Sequence, residues 1–311
     1  MIRETHANHP REVPASGSAA AASAPRRGRP APSVPVPDGP RPADTGDTGR
    51  DAEAITGLLP GPAGAAPFYL VHPVGGSLLC YLPLARALAA RHPVRGIASP
   101  LLSGRPAPDE LSELAERYAG WIAADTRGPC LVGGWSFGGA AAFETAGRLA
   151  ARGRTVDLLV LLDATPPGSW TGPLDDDTLA RQFLYEVRRM SGVSDAEARA
   201  GHAADPLGAA VREMAAVDPD ADEEETYRRF AAFRRHARSL TGHRPVRPHP
   251  GPALVVDTEP VGGAGGRGDA WLPHLAGPVH RLRLPTDHFG LMGAAPASAV
   301  AAAVDRARTG A

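Results

Sequence analysis

The stretch CLVGGWSFGG, residues 130–139, places a serine between an apolar run and several small residues. The run CLVGGW is typical of a buried strand, and residues 137–153 are typical of an alanine-rich helix. Within the stretch, residues 134–138 fit the pattern G-x-S-x-G, in which a serine occupies a sharp turn between strand and helix. Such a turn makes the serine hydroxyl project from the edge of a sheet. We therefore predict that Ser136 is a nucleophile. The alternative is a serine that caps an ordinary helix.

Apolar strands alternate with helices on both sides of this stretch. Strands are predicted within PFYLVHPVGG (67–76), at 94–97, and at DLLVLLDA (157–164), ALVVD (253–257) and VHRLRL (279–284). Helices are predicted at 79–90, 110–124 and 297–308. Fully apolar strands that alternate with helices indicate an α/β fold, with a mostly parallel sheet covered by helices on both faces.

Two segments depart from this alternation. Asp163 and Ala253 are 90 positions apart, whereas a simple crossover needs about 10–12 residues. We predict a helical insertion at about 167–247, placed as a lid over the carboxyl edge of the sheet. Residues 1–63 contain no aromatic residue, and the segment from Pro10 to Pro42 contains nine prolines, counting both ends. This composition predicts a disordered tail, which leaves 64–308 as the folded domain.

Composition excludes several classes of protein. The chain of 311 residues has a formal net charge of −1, and its 33 basic residues are all arginine. The lack of lysine excludes Schiff-base catalysis, pyridoxal phosphate attachment and a Walker-type phosphate loop. Two cysteines are too few for a disulfide framework or a four-cysteine zinc site. With no apolar run near 20 residues and no secretory signal, we expect a cytoplasmic protein that binds neither membrane nor nucleic acid.

A nucleophilic serine needs a general base. His288, in LPTDHFG, lies on a loop between the last predicted strand and the final helix, where it can reach back over the sheet edge. His6 and His9 precede the serine, and His280 lies within a strand pattern. Four further histidines belong to the insertion or its exit and are interpreted as mobile or exposed: His202, His236, His243 and His249. We predict His288 as the base.

Two aspartates compete for the role of the acid that orients this histidine. Asp163 ends one apolar strand, and Asp257 ends another. Both should project from the carboxyl edge of the sheet toward the serine. Asp287 adjoins His288 in sequence and should point away from its ring. The residues alone leave Asp163 and Asp257 as alternatives.

An oxyanion formed at this site needs two backbone N–H donors. One is expected from Phe137, the residue after the nucleophile. The second is expected from Val74, in the loop HPVGG (72–76) after an early strand. A plain turn is the alternative interpretation of HPVGG.

Taken in order, five segments closely resemble the thioesterase family of nonribosomal peptide and polyketide synthases, and in particular its chain-terminating (type I) domains. They are PFYLVHPVGGSLLCYLPLARAL, GGWSFGGAAAFETAGRLAARG, VDLLVLLDATPPG, RFAAFRRHARSLTGHRPVRPHPGPALVV and LPTDHFGLM. The resemblance extends from about Pro67 to Arg308. It implies an α/β-hydrolase fold with a mobile lid after the strand that bears the acid. It also implies that Ser136, His288 and Asp163 form the catalytic triad.

The resemblance further implies a serine thioesterase that releases an acyl, polyketide or peptidyl chain by hydrolysis or cyclisation. Such an enzyme has no cofactor of its own, because phosphopantetheine belongs to the acyl or peptidyl carrier protein. No Asp-Ser-Leu attachment site precedes residue 67, so the chain is expected to be either a stand-alone enzyme that meets its carrier in trans, which its long N-terminal tail favours, or a fragment of a synthase. We also expect a monomer. An editing (type II) thioesterase and a non-catalytic carrier-binding module are the alternatives. A complete triad argues against the module.

Overall fold

The structure, a computed structural model, describes residues 54–169, 174–201, 203–217, 221–245, 247–259 and 267–309. Residues 1–53 of the predicted tail lie outside the described residues, as does His202. Across the described ranges, each helix is too short or too polar to cross a membrane.

A seven-stranded sheet forms the centre of the described chain, in the order β1-β3-β2-β4-β5-β6-β7. The strands are β1 (Ile55–Leu59), β2 (Phe68–Val71), β3 (Val94–Ile97), β4 (Cys130–Trp135), β5 (Val156–Leu162), β6 (Ala253–Thr258) and β7 (Val279–Leu284). Apart from β1, which pairs with β3 in the antiparallel direction, neighbouring strands are parallel. The carboxyl ends of the parallel strands therefore meet at one edge.

Helices cover both faces of this sheet. They are α1 (Leu82–Leu88), α2 (Leu111–Asp125), α3 (Phe137–Ala151), α4 (Asp176–Met190), α5 (Asp195–Ala200), α6 (Pro206–Val217), α7 (Glu223–Thr241) and α8 (Ala294–Thr309). Short 3₁₀ helices lie at Leu79–Tyr81, Pro100–Ser103, Arg267–His274 and Gly290–Met292. The predicted fold class, α/β with a mostly parallel sheet and helices on both faces, is confirmed.

Alternate residues of each central strand enter opposite cores. Phe68 and Leu70 of β2 pack in the cluster that includes residues of α1 and α8, whereas Tyr69 and Val71 pack in the cluster that includes α2 and α3. All four are fully buried. Because successive side chains of a strand point to opposite faces, a strand covered on both sides must be apolar throughout. This explains why the strands are visible in the sequence as short apolar runs.

The helical insertion consists of α4, α5, α6 and α7 and lies between β5 and β6, in the interval where the sequence predicts it. Its inward side chains are apolar and buried, among them Phe183, Phe230 and Phe233. The Phe183 ring contacts both other rings, at centroid distances of 5.5 and 5.6 Å. The insertion therefore contributes to the same core as α2 and α3.

The predicted start of the folded domain at residue 64 needs correction. Strand β1, Ile55–Leu59, pairs with β3 along Ile55–Ile97, Thr56–Gly96 and Gly57–Arg95. Residues 55–59 thus belong to the sheet rather than to a disordered tail. An edge strand needs apolar contact on one face only, so its backbone hydrogen bonds can order a segment that lacks aromatic residues.

Candidate active site

Ser136 occupies the turn between β4 and α3 with a backbone that few side-chain-bearing residues adopt. Its φ is 57° and its ψ is −122°. A positive φ is rare in residues other than glycine and costs conformational energy unless neighbouring contacts impose it. The Ser136 N–H donates to the Leu162 carbonyl at 3.0 Å, which fixes the turn to the end of β5. The serine side chain is partly exposed at the sheet edge.

The glycines around Ser136 are required by close backbone approach. A Cβ at Gly134 would lie 2.3 Å from the Gly138 carbonyl, and a Cβ at Gly138 would lie 2.4 Å from the Val71 oxygen. Both distances are far below van der Waals contact, and the obstructing atoms are backbone. The pattern G-x-S-x-G therefore reflects the packing of α3 against the ends of β2 and β4.

Asp163 and His288 meet beside this turn. Asp163 follows β5 directly, has a φ of 42° and is 2% exposed. His288 lies between β7 and the 3₁₀ helix at Gly290–Met292, and its Nδ1 is 2.5 Å from Asp163 Oδ2. The His288 ring also lies 4.6 Å, between centroids, from the ring of Trp135, the residue before Ser136. The structure thus brings His288 together with Asp163, next to the turn that carries the serine.

The protonation of this pair suits a base and its orienting acid. Burial lowers the pKa of His288, and the Asp163 carboxylate opposes this shift only in part. Burial alone would raise the pKa of Asp163, but His288, Arg267 and the Thr258 N–H together outweigh it and hold that pKa below its usual range. At neutral pH the pair is a neutral imidazole and a carboxylate. With the Nδ1 hydrogen donated to Asp163, the free lone pair of the ring lies on Nε2.

Arg267 also contacts this pair, although no pattern in the sequence identified it as a site residue. Its Nη1 lies 3.2 Å from Asp163 Oδ2 and 2.9 Å from His288 Nδ1. The His288 nitrogen donates to the carboxylate and so cannot accept from Arg267. The guanidinium therefore hydrogen-bonds Asp163, and its positive charge lowers the pKa values of both Asp163 and His288. Arg267 follows residues 260–266, which lie outside the described ranges. It reaches the site through its contact with Asp163, 104 residues earlier in the chain.

Asp257, the alternative acid, has other partners. Its Oδ1 accepts the Gly268 N–H at 2.6 Å, and its Oδ2 accepts from Arg281 at 3.0 Å. Like Asp163, it is 2% exposed. The two strand-end aspartates therefore differ in their neighbours, and it is Asp163 that contacts His288.

The two predicted oxyanion donors come from different segments of the chain. Phe137 is the first residue of α3, and Val74 lies in the loop after β2. Within the described ranges, neither N–H donates to a protein acceptor. Amides at the first turn of a helix have no partner in that helix, and the helix dipole favours negative charge there. The Phe137 N–H is therefore at a place that favours negative charge, and the two N–H groups remain predicted oxyanion donors.

Two further residues, the buried Tyr81 and the partly buried Arg189, support the site without a clear signal in the sequence. Tyr81 accepts the Trp135 N–H at 2.8 Å and donates to the Val71 carbonyl at 2.7 Å, which ties the end of β4 to that of β2. Arg189 of α4 pairs with Asp287 at 2.5 Å, and its guanidinium lies 5.1 Å from the Phe289 ring centroid. The insertion therefore contacts the residues on both sides of His288.

The interpretation of the insertion's histidines as mobile or exposed is wrong for those that the structure describes. His236, His243 and His249 are all buried. His236 lies on the inward face of α7, where Phe230 and Phe233 are also buried. The spacing of His236 from these two phenylalanines was the signal that could have revealed it. Among the described residues, no group of three or more potential ligands is arranged to hold a metal ion.

A profile of the thioesterase domain family matches residues 66–307. The chain belongs to this family. It is a thioesterase of the α/β-hydrolase superfamily, as the resemblance of its motifs predicts. The match begins just before β2 and ends within α8, so it includes the sheet-edge site and the helical insertion.

Its curated relatives are large synthases. The chain is 33% identical over 153 residues to the non-reducing polyketide synthase PFUR17_0229 of Pseudevernia furfuracea, a match over 48% of this chain and 7% of that one. It is 32% identical over 137 residues to the vanchrobactin synthetase VabF of Vibrio anguillarum, over 42% of this chain and 5% of the synthetase. The chain therefore spans a small fraction of the length of these relatives.

Solved structures show the same fold. The four-domain nonribosomal peptide synthetase holo-AB3403 matches with a TM-score of 0.71 and 26% identity, over 81% of this chain and 20% of that one. The NocB thioesterase domain, in a covalent complex with a fluorophosphonate nocardicin G analogue, matches with a TM-score of 0.55 and 25% identity, over 79% and 95%. The type II thioesterase BorB matches in fold, with a TM-score of 0.63 and 21% identity over 82% and 97%.

Proposed function

We propose that this thioesterase releases an acyl, polyketide or peptidyl chain from the phosphopantetheine thioester of a carrier protein, through an ester on Ser136. The observation that carries the proposal is the contact between Asp163 and His288 beside the strained turn at Ser136. A serine in such a turn, a neutral imidazole and a buried carboxylate are the groups that nucleophilic acyl transfer needs.

In the first half-reaction, Ser136 attacks the thioester carbonyl while His288 Nε2 accepts the hydroxyl proton. The negative charge on the carbonyl oxygen is stabilised by the N–H groups of Val74 and Phe137, and Asp163 stabilises the imidazolium. Collapse of the intermediate breaks the carbon–sulfur bond. His288 then donates its proton to the departing pantetheine thiolate, which leaves an ester on Ser136.

In the second half-reaction, the ester is attacked by water or by a hydroxyl or amine of the bound chain. His288 accepts the proton of that nucleophile and returns a proton to the Ser136 oxygen as the ester breaks. Water gives a free acid, and an internal nucleophile gives a macrocycle. The reaction uses no cofactor of the enzyme, because phosphopantetheine is part of the substrate.

The proposed partner is an acyl or peptidyl carrier protein, supplied in trans to a monomeric enzyme. Family membership supports the carrier, since the relatives include polyketide synthases and a nonribosomal peptide synthetase. The thioester must reach Ser136 past the insertion, which contacts both the His288 loop and the loop of Val74.

The function is tested by intact-protein mass spectrometry on enzyme mixed with a panel of acyl-pantetheine thioesters. We expect the wild-type protein to gain the mass of the acyl group on Ser136 and to release the chain. Ser136→Ala should gain no mass and should lose up to ~10⁶-fold in turnover, because a triad fails as a unit when its nucleophile is removed. The exposed Ser298 of α8 offers a matched control, and Ser298→Ala should behave as wild type.

Turnover by Ser136→Ala within tenfold of wild type, with an unchanged circular dichroism spectrum, would contradict the proposal. The same panel separates chain release from editing. An enzyme that releases finished chains should prefer long acyl or peptidyl groups, whereas an editing enzyme should prefer short groups on many carriers.

A further inference from the structure

Two buried histidines hydrogen-bond to consecutive carbonyl groups of the loop after β2. His72 Nδ1 lies 2.7 Å from the Pro73 oxygen, and His236 Nδ1 lies 2.7 Å from the Val74 oxygen. The Pro73 carbonyl shares a peptide group with the Val74 N–H, the proposed oxyanion donor. The Val74 carbonyl belongs to the next peptide group. The orientations of both peptide groups around this donor are thus fixed by imidazole rings.

The hydrogen-bond partners define the proton position on each ring. A carbonyl oxygen can only accept, so Nδ1 of both rings must carry the hydrogen, and Nε2 must then accept. Tyr118 supplies a hydroxyl 2.7 Å from His72 Nε2, and Ser99 supplies one 3.1 Å from His236 Nε2. Two similar hydrogen-bond chains result. In each, a hydroxyl donates to an imidazole, and the imidazole donates to a carbonyl of the loop.

Both rings are neutral at neutral pH. His72 is fully buried, His236 is 3% exposed, and Ser99 and Tyr118 are also buried. Burial lowers the pKa of His236 to about 4, against a smaller opposing effect of its bond to the Val74 carbonyl. Burial and the neighbouring His236 hold the pKa of His72 well below its usual range. The charged group nearest to His236 in sequence is Arg235, which pairs with Asp109 at 2.7 Å.

His236 differs from His72 in its origin, since it comes from α7 of the helical insertion. Its ring lies 5.0 Å from the Phe137 ring and 4.6 Å from the His72 ring, between centroids. One side chain of the insertion thus contacts both residues whose N–H groups form the proposed oxyanion site. α7 also packs on the 3₁₀ helix at Pro100–Ser103, which follows Ser99.

We propose that His236 is a positioning residue that ties the insertion to the oxyanion site, by holding the Val74 carbonyl so that the Val74 N–H faces the reacting carbonyl. The inference rests on the proposed function. The loop supplies part of the restraint itself, since the Gly76 N–H donates to the Pro73 carbonyl at 2.8 Å and the Ser99 N–H donates to the Gly76 carbonyl at 3.0 Å. Among the described residues, the Val74 carbonyl takes its restraint from His236 and is followed by Gly75 and Gly76. An oxyanion donor must lie about 2.7–3.1 Å from the developing charge, so a small displacement of Val74 that moves its N–H weakens catalysis.

The test compares three substitutions of His236 with different donors. Asn places its side-chain nitrogen where Nδ1 lies and can still donate to the Val74 carbonyl. Gln places it farther out, and Leu has no donor. Turnover of an acyl-pantetheine thioester is measured per active site, with sites counted by fluorophosphonate titration. His249→Leu is the matched control, because His249 is equally buried but precedes β6, at the end of the sheet away from the site.

We expect His236→Leu and His236→Gln to lower kcat about 10- to 100-fold with KM within about threefold, somewhat less than the loss of an oxyanion donor itself. His236→Asn should restore kcat to within about fivefold of wild type. Binding of a trifluoromethyl ketone analogue, which forms an oxyanion on Ser136, should weaken in parallel with kcat. His249→Leu should retain the wild-type kcat per titrated site. A loss of packing alone would lower the number of titrated sites but not the kcat of each.

Either of two results overturns the inference while the proposed function stands. One is an active wild type with a kcat per site for His236→Leu within twofold. The other is a folded His236→Asn as impaired as His236→Leu. A wild type that turns over no thioester, and that gains no mass on Ser136, overturns the function and the inference together.

Discussion

Asp163 and Asp257 end neighbouring parallel strands, are equally buried and follow similar apolar runs, yet they have different partners. Asp163 lies one residue beyond β5, and its N–H still donates to the Val256 carbonyl at 2.8 Å. Its φ of 42° then turns the chain away from the sheet. Asp257 remains inside β6, where it pairs in register with Arg283 of β7. Asp163, which lies beyond its strand, can direct its carboxylate to the sheet edge. Asp257, which is still part of its strand, keeps its carboxylate beside β7.

The residues that contact each aspartate complete the difference. The outer strand β7 also carries Arg281, which hydrogen-bonds Asp257, and the Gly268 N–H occupies the other oxygen of that carboxylate. Asp163 lies farther from the sheet's edge strand, and the loop after β7 brings His288 to it. Asp163 likewise accepts from an arginine, Arg267, and from a backbone N–H, that of Thr258. The contact that separates the two aspartates is the one between His288 and Asp163, which suits Asp163 to orienting an imidazole and leaves Asp257 a structural role.

The largest expected effect is a difference in kcat between the Asp→Asn variants of the two aspartates. Asp163→Asn should reduce kcat by up to ~10⁴-fold, because an amide favours the wrong tautomer of His288 and does not stabilise its imidazolium form. Asp257→Asn should leave kcat within a few-fold of wild type. Both variants are compared at neutral pH with one acyl-pantetheine substrate and with active sites titrated. A severe loss in Asp257→Asn together with a mild one in Asp163→Asn would reverse the assignment.

A smaller effect should appear in stability. Asp257→Asn should lower the free energy of unfolding by about 1–3 kcal/mol, the cost of leaving hydrogen-bonding groups poorly paired in a buried place. For a domain of this size, Tm should fall by about 3–10 °C. Arg281→Gln removes the other member of the pair, so the double variant should lose less than the sum of the two single losses. A Tm for Asp257→Asn equal to that of wild type would show that the ion pair contributes nothing.

The parts of the molecule that the sequence predicts well are those with local causes. The central strands are visible because both faces are buried, and the turn at Ser136 is visible because backbone contacts require glycine at Gly134 and Gly138. Strand ends place Asp163, Asp257 and His288 near one edge, since parallel strands present their carboxyl ends there, but they do not choose between the two aspartates. These features depend on short segments, so a single chain can reveal them.

The parts that the sequence does not reveal depend on partners distant in the chain. Strand β1 is ordered by hydrogen bonds to β3, almost 40 residues later, and its five residues are too short an apolar run to reveal that pairing. His236 bonds to Val74, and Arg267 bonds to Asp163, across intervals of 162 and 104 residues. The inward spacing of His236 on α7 indicates burial at most. The identity of its acceptor follows from the packing of the insertion on the loop after β2.

The smallest expected effect is a change in the pH dependence of kcat/KM when the arginine beside one of the aspartates is replaced. The positive charge of Arg267 disfavours the imidazolium form of His288 and so lowers its pKa, while the Asp163 and Asp287 carboxylates act in the opposite direction. Catalysis needs the neutral ring, so kcat/KM falls as the pH drops through this pKa. Arg267→Gln should raise the pKa of His288 and move the acid limb to higher pH. Because the Arg267 side chain is 48% exposed, solvent screening keeps this shift small.

Arg281→Gln is the matched control, since it removes an arginine from Asp257 instead of Asp163. Its acid limb should coincide with that of wild type. The measurement is kcat/KM for a small acyl-pantetheine thioester between pH 4.5 and pH 8.5, in buffers of constant ionic strength. An acid limb of Arg267→Gln that stays in place or moves to lower pH would show that Arg267 acts on the site by some means other than its charge. A shift in Arg281→Gln of equal size would show that the two strand-end aspartates are not electrostatically distinct.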